Sequence, residues 1–429
     1  ICNYRPISIC SAVGKVLERI VANRLSDHLF TFKLLSDAQH GFLPGRSCTT
    51  QVSRLFHDWS AALDKRQPPR VDAIFLDWAR AFDKVPHNRL ISKLHNYGIC
   101  GSLHNWFHSF LSFRKQRVIF QGSVSDWCQV SSGVPQGSIL APLLFNIFVN
   151  DLPNIISSST AQYADDTIIY RIINSPQDSL ALQEDLNNLI LWSMDNNMLL
   201  NAKKCKTMHI TRSRRPIDCS YFLGNDHLES VKQFKYLGVT ISNDLTWGPH
   251  IKNIVAKASR ISGFIRRTVR SKDSVSLVLL FKSLCRPLLE YAVPAWSPFQ
   301  TNHTNALERV QRRFTRACFN YNLDLGYEDR LTVLKLPSIA DRHKYLLLTF
   351  VLHCIHKRYN VKQQLVPLIN TRHLDDYRFK ISFARTNAFK HSVFTNFPYV
   401  WNILPVSIRE KAIDSHEYKS VIHKHVLPY

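Results

Sequence analysis

Residues 161–170 read AQYADDTIIY, and the reading of this stretch decides the fold. Apolar residues flank Asp165 and Asp166 on both sides, so the pattern is strand, tight reversal, strand, with two adjacent carboxylates at the tip. Buried at ~4 Å without a counter-ion, such a pair repels by ~4 kcal/mol at an effective dielectric of 20. A folded chain tolerates that only if a cation is bound, a proton is shared, or the side chains reach water. A second apolar strand, AIFLDWARAFD at 73–83, also ends in an acid, Asp77. Taken alone, Asp77 reads best as a turn residue or a helix cap. The three acids together are harder to dismiss: carboxylates on strand tips make a hard-oxygen site suited to Mg²⁺. Two such ions ~3.5–4 Å apart serve in-line phosphoryl transfer.

Upstream of the hairpin lies GVPQGSILAPLLFN, 133–146. Its plain reading is a loop before a hydrophobic helix. Gly133, Pro135 and Gly137 shape a tight turn that another backbone or a base can approach closely, and Gln136 offers a side-chain amide there. Farther out, the spacing predicts helices over 11–29 (Val13, Leu17, Ile20, Val21, Leu25) and 49–64 (Val52, Leu55, Phe56, Trp59, Leu63). A Pro pair ends the second and a near-continuous apolar strand follows. A helix over 101–113 precedes a strand pair, QRVIFQG and DWCQVSSG, and an amphipathic helix spans 177–195 before the strand CKTMHIT at 205–211. Strand, acidic turn, strand, helix, strand is the order of an α+β unit with helices behind an antiparallel sheet. A polar, basic link (211–220) leads to a β unit ending in FKYLGVTIS (234–242), and helices are predicted over 250–270, 273–291 and 303–319.

Composition supports a globular polyanion binder. The 429 residues are 45% hydrophobic, and 55 Lys+Arg against 32 Asp+Glu give a formal net charge of +23. No apolar run reaches membrane-spanning length: VSLVLLFKSLCRPLLEYAV (275–293) is broken by Lys282, Arg286 and Glu290. No signal peptide is visible, so the expectation is an intracellular protein without membrane partners. The 10 cysteines include no C-x₂-C pair, which argues against a zinc cluster or a disulfide framework. The chain begins at Ile1 and reads as a piece of a longer product.

YADD, GVPQGSILAPLLF, FLDWARAFD and QHGFLPGRSCT together resemble the reverse transcriptases of LINE-type non-LTR retrotransposons. The resemblance continues through NYRPISICSAVGKVLERIVANRL at the start and LNAKKCK and FKYLGVTI later, covering about 1–320 in family order. It implies a right-hand polymerase: fingers over 1–70, a palm over 71–245 with a fingers insertion near 85–130, and a helical thumb over 246–322. A mostly helical, basic carboxyl-terminal extension over 323–429 follows, with FPYVWNILPVSIRE (397–410) similar to such elements.

The resemblance also implies roles. Asp77, Asp165 and Asp166 match the metal-binding triad, holding two Mg²⁺, with Mn²⁺ as a substitute. Phe82 matches the ring that excludes a 2′-hydroxyl; read alone it is a core Phe, and the two readings are compatible. Arg5 resembles a fingers arginine gripping the triphosphate. Arg46 lies in a second fingers motif, and a solvated loop charge is as good a reading. Gln136 and Gly137 face the templating pair. Lys204 fits an N-x-x-K pattern from Asn201 near the pyrophosphate, with Lys203 and Lys206 close enough to leave the register open. Tyr236, Leu237 and Gly238 resemble the primer grip; alone they read as a strand before a turn. Arg309, Arg312, Arg313 and Arg316 share one helical face and either are solvated or track duplex phosphates. The basic and aromatic mixture at 357–390 reads either as an RNA-stacking surface or as a loose one.

Implied partners are an RNA template, a DNA primer and dNTPs, with an endonuclease domain expected in the full-length element and absent here. The expected location is the nucleus and a cytoplasmic ribonucleoprotein. Two other readings stand beside this one: a truncated or domesticated RNA-binding remnant without catalysis, and an RNA-templated RNA polymerase, against which Phe82 weighs.

Overall fold

The structure is a computed structural model that describes residues 7–213, 219–269, 273–319, 324–360, 365–369 and 374–427. Arg5 lies outside the described residues. The chain forms two compact units, one from Ile1–Leu43, Val71–His209 and Arg215–Val231, the other from Pro44–Arg70, Ile210–Arg214 and Lys232–Tyr429. Among the described residues no helix is long and apolar enough to cross a membrane.

The first unit is built on a five-stranded sheet. Its spatial order is Glu229–Ser230, Lys206–Ile210, Arg70–Leu76, Asp166–Ile173, Ser159–Tyr163. The central strand Arg70–Leu76 is buried along its whole length, as its apolar run requires. Its one acid, Asp72, is satisfied: Tyr221 Oη donates to it at 2.6 Å and His209 Nδ1 lies at 2.8 Å. Ser159–Tyr163 and Asp166–Ile173 pair antiparallel, with Tyr163 opposite Asp166. The sheet is mixed, where the sequence pattern pointed to an antiparallel one. Glu229–Ser230 runs parallel to Lys206–Ile210, because the crossover between them is long enough to return the chain in the same direction.

Helices cover the sheet. Ala141–Val149 is buried at every position but Pro142, as the run APLLFNIFV demands. Pro176–Asp195 begins with a capping box between Ser175 and Asp178 and packs on Asp166–Ile173. Ala12–Thr31 is the expected first helix, but its buried face is not the apolar stripe. Glu18, Ala22, Leu25 and Leu29 are buried, whereas Val13, Val16, Leu17 and Ile20 are 82%, 62%, 48% and 57% exposed. The segment after helix Gly101–Leu111 is a ribbon of two short strand pairs, Lys115–Gln116 with Cys128–Gln129 and Ile119–Phe120 with Ser123–Val124.

In the second unit, helix Cys48–Leu63 starts at a capping box between Ser47 and Thr50 and buries Val52, Leu55, Phe56, Trp59 and Leu63. Gln233–Tyr236 and Val239–Ser242 form a hairpin. Long helices follow at Gly248–Thr268, Thr301–Cys318 and Ile339–Ile355. Between the first two, the helical run that starts at Ser274 contains Pro287, which has no N–H to give the carbonyl four residues back; the run takes a π turn over Phe281–Cys285. Ile339–Ile355 and the later helices Val393–Trp401 and Tyr418–Val426 share a core centred on Leu348, Phe397, Trp401 and Tyr418. The mixed segment after 357 contributes rings to that core: Phe379 packs near Phe397 and Trp401, and Tyr359 stacks on His353 at 4.7 Å.

Candidate active site

Asp77 directly follows the central strand, and Asp166 opens its neighbour. The two strand ends lie together, because Trp78 Nε1 donates to Thr167 Oγ1 at 3.4 Å. Asp77, Asp165 and Asp166 therefore sit at one end of adjacent strands. None of the three is buried, and the Asp77 side chain keeps 42% of its surface exposed. Among the described residues no three His, Cys, Asp or Glu side chains are close enough to form a preassembled metal cluster. The donors nevertheless fit Mg²⁺ or Mn²⁺ in kind: carboxylate oxygens only, reachable by water, with no competing thiolate. Cys205 Sγ accepts from the Asp77 N–H at 3.3 Å, and burial pushes its thiol up to about 11, so it stays protonated.

The turn that carries the acid pair is tightly specified. Of its two loop residues, Ala164 has a left-handed φ of 55°, where glycine is usual. The edge beside it is occupied by Ala38–Gly41. Gln162 N–H donates to Ala38 O and His40 N–H donates to Gln162 O, both at 2.8 Å. Gln39 Oε1 accepts from the Ala164 N–H at 2.9 Å and from the Gly41 N–H at 2.7 Å.

Lys204 lies beside Asp77. The segment Asp77–Ala79 pairs with Leu199–Asn201, through Asn201 N–H to Asp77 O at 2.8 Å and Ala79 N–H to Leu199 O at 2.9 Å. Of the lysines the sequence left open, Lys204 has its Nζ 3.7 Å from Asp77 Oδ2. Lys206 turns instead to Glu229 at 2.6 Å. The Lys204–Asp77 pair is exposed and holds the chain only weakly, which leaves the carboxylate open to another cation.

The GVPQG loop is fastened to the segment behind Asp77. Gly133 has φ 86°, and a Cβ there would stand 2.6 Å from Asp83 O, so only glycine fits. Its N–H donates to Val85 O at 2.8 Å, and its carbonyl accepts from Arg114 at 2.6 Å and His87 at 3.0 Å. Gln136 Nε2 donates to Asp83 Oδ1 at 2.9 Å, so its amide is anchored within the protein. Gly137, with φ 110°, is approached by Ser8 O. Phe82 is half-buried, stacked on Phe145 at 4.4 Å and edge-on to Phe42, so it is packed as a core ring on one side at least. The other expected residues, Arg46 and the Tyr236–Leu237–Gly238 turn, belong to the second unit. There Tyr236 is buried and Tyr291 Oη donates to Leu237 O at 2.9 Å. Arg309, Arg312, Arg313 and Arg316 are all exposed on the helix whose other face buries Val310 and Phe314.

Comparison with known proteins decides the family. The model of the reverse transcriptase (RNA-dependent DNA polymerase) family matches residues 2–241, more than half of the chain. The chain belongs to that family. Its relatives are reverse transcriptases of non-LTR retrotransposons. The probable RNA-directed DNA polymerase from transposon BS of Drosophila melanogaster is 31% identical over 337 residues, 73% of this chain and 36% of that protein. The RNA-directed DNA polymerase from mobile element jockey of Drosophila funebris is 29% identical over 353 residues, 79% of this chain and 38% of that protein. The chain thus spans a little over a third of the length of these relatives. Among solved structures, telomerase from Candida tropicalis in complex with the TWJ fragment of telomeric RNA aligns over 80% of this chain and 54% of that chain, with 13% identity and a TM-score of 0.43.

Sequence reasoning missed Gln39, Gly41, Glu18 and Asn146. Glu18 is 5% exposed, and its Oε2 accepts from the N–H groups of Ile139 at 2.7 Å and Leu140 at 3.2 Å, tying the first helix to the start of Ala141–Val149. Asn146 Nδ2 donates to Gly41 O at 2.7 Å. A polar residue buried for one or two hydrogen bonds, as Glu18, Gln39 and Asn146 are, leaves no periodic signal. For Asn146 the only trace in the sequence is a polar letter on an otherwise apolar helix.

Proposed function

We propose that this chain carries the RNA-directed DNA polymerase activity of a retrotransposon, adding nucleotides to a primer 3′-hydroxyl on an RNA template. The observation that supports it is the position of Asp77, Asp165 and Asp166 at one end of adjacent strands, in a chain of this family. Asp77, Asp165 and Asp166 would hold two Mg²⁺, with Mn²⁺ as a substitute. Bound there, such ions would supply Lewis-acid activation of the 3′-hydroxyl and charge neutralisation on the leaving pyrophosphate. In the transfer a bond forms between the primer 3′-oxygen and the α-phosphorus, and the bond to the β-phosphate oxygen breaks. Lys204, beside Asp77, is suited to protonate the pyrophosphate as it leaves. Gln136 and Gly137 form the floor under the templating pair, and Phe82 lies beneath the sugar of the incoming dNTP. Arg5 and Arg46 serve the triphosphate or template, and Tyr236, Leu237 and Gly238 hold the primer end.

In this reading 1–70 acts as fingers, 71–245 as palm with its insertion near 85–130, 246–322 as thumb, and 323–429 as a basic extension. The template is the element's RNA. The primer is a nicked chromosomal 3′-end cut by an endonuclease of the full-length element. The protein works in the nucleus and in a cytoplasmic ribonucleoprotein.

Primer extension on poly(rA)/oligo(dT) with Mg²⁺ tests the proposal. The expected result is extension by the wild-type chain and a loss on the order of a thousandfold in Asp165→Asn, equivalent to about 4 kcal/mol of barrier. Template binding without extension, unchanged by Asp165→Asn, would instead favour a non-catalytic RNA-binding remnant.

A further inference from the structure

We infer that Gln39 and Gly41 are positioning residues for the Asp165–Asp166 turn, setting the affinity of that turn for divalent cations. The inference rests on the polymerase reading above and extends it to residues that touch no substrate. Three observations carry it.

First, Ala38–Gly41 forms an added edge on the Ser159–Tyr163 strand, with Gln39 bridged to Gln162 in parallel register. The turn is therefore flanked by backbone on its outer side. Second, Gln39 is 1% exposed, and its Oε1 accepts from both Ala164 N–H and Gly41 N–H. Two converging donors fix which end of the amide faces the turn. They also hold the residue whose left-handed φ aims the two carboxylates. Third, Gly41 is in contact with the turn itself. A Cβ at this position would stand 2.4 Å from Ala164 N and 3.0 Å from Tyr163 C. Backbone cannot yield by bending a side chain away, so any larger residue displaces the turn.

The brace has a fixed foundation. Gly41 O accepts from buried Asn146. One helical turn on, Asn150 Oδ1 accepts from Ser36 N–H at 2.7 Å and Nδ2 donates to Leu34 O at 2.8 Å. Two asparagines on the helix behind the sheet thus clamp both ends of the 34–41 segment. A left-handed alanine persists only where its surroundings over-determine it, and this network does so. Supporting groups of this kind set metal affinity through the geometry of the ligands they hold.

The experiment is a Mn²⁺ titration followed by electron paramagnetic resonance, without nucleotide or primer, on the full chain and on Gly41→Ala, Gln39→Leu and Gln39→Glu. Circular dichroism and melting are recorded for each. The expected result is a loss of Mn²⁺ affinity of about tenfold or more in Gly41→Ala and Gln39→Leu while the fold is retained. Gln39→Glu, whose carboxylate accepts from the same two N–H groups, recovers most of that loss. Folded variants with lowered melting temperature but wild-type Mn²⁺ affinity would overturn the inference, since a merely structural role predicts that outcome. If the variants do not fold, hydrogen exchange at the Ala164 amide of the wild-type chain decides: protection is expected, and exchange at the free rate overturns the brace. A wild-type chain that binds no Mn²⁺ contradicts the polymerase reading itself, and the Ala164 exchange then still reports on the brace separately.

Discussion

The hairpin turns at Tyr163–Asp166 and Tyr236–Val239 have the same loop length and the same residue before the loop, yet they are stabilised by different means. In the second, Leu237 and Gly238 both take left-handed φ, 44° and 84°, the pattern that matches strand twist, and glycine carries half of the cost. One hydroxyl, from Tyr291, completes it. In the first, alanine occupies the left-handed position with no glycine beside it, and a buried amide and a neighbouring glycine hold it there. The second turn is thus made by a glycine at one left-handed position and one hydroxyl from 54 residues on. A turn that must aim two carboxylates is held by residues more than 100 positions away in sequence. Strain of this kind gathers where geometry matters for chemistry.

The largest expected test of the contrast is acidification. The second hairpin leans on His250, whose Nδ1 accepts from the Thr240 N–H at 3.2 Å, and burial lowers its pKa to about 4. His343, whose Nε2–H donates to Leu289 O in the same unit, is likewise lowered to about 4, mainly by burial. The unfolded chain binds protons at these groups before the folded chain does. Stability from them is therefore complete above the ordinary histidine value and is lost as pH falls from there toward 4. Each contributes at most about 3 kcal/mol. Denaturant melts of wild type and His250→Gln between pH 7 and roughly pH 4.5 should show a shallower loss in the variant. Identical slopes would mean that His250 is not buried as neutral imidazole.

Next in size is Gly238→Ala. A Cβ there meets Tyr291 Cε1 at 3.0 Å on a left-handed backbone, so a loss of about 1–2 kcal/mol is expected from equilibrium unfolding. The smallest effect belongs to Ala164→Gly. Relief of the left-handed cost, offset by the entropy of glycine in the unfolded chain, leaves a gain of a few tenths to about 1 kcal/mol. If Ala164→Gly destabilises the chain, the first turn is not strained and the contrast between the turns fails.

Much of this was legible in the sequence because it rests on periodicity and strand-end chemistry. The central strand, the helix after GVPQGS, the long helix at 176–195 and the position of Asp77, Asp165 and Asp166 at strand ends all follow from apolar runs interrupted by acids. What stayed hidden depends on single hydrogen bonds. The first helix buries Glu18 and exposes Val13 and Leu17, because a carboxylate that caps two N–H groups fixes the rotation of the helix against its own apolar stripe. QHG carried no strand signal, yet Gln39 and Gly41 flank the acidic turn. The backbone pairing of Asp77–Ala79 with Leu199–Asn201, and with it the approach of Lys204 to Asp77, is announced by no local pattern.

In the proposed function, Asp77 and the Asp165–Asp166 turn would jointly hold divalent cations for nucleotidyl transfer. Anomalous diffraction at the manganese edge, from crystals of the chain with an RNA template, a chain-terminated DNA primer and the matching dNTP, tests it most directly. The account expects two manganese peaks about 4 Å apart, both within bonding distance of Asp77 and at least one held by Asp165 or Asp166. Manganese bound elsewhere, or held by the turn with Asp77 left out, would contradict it.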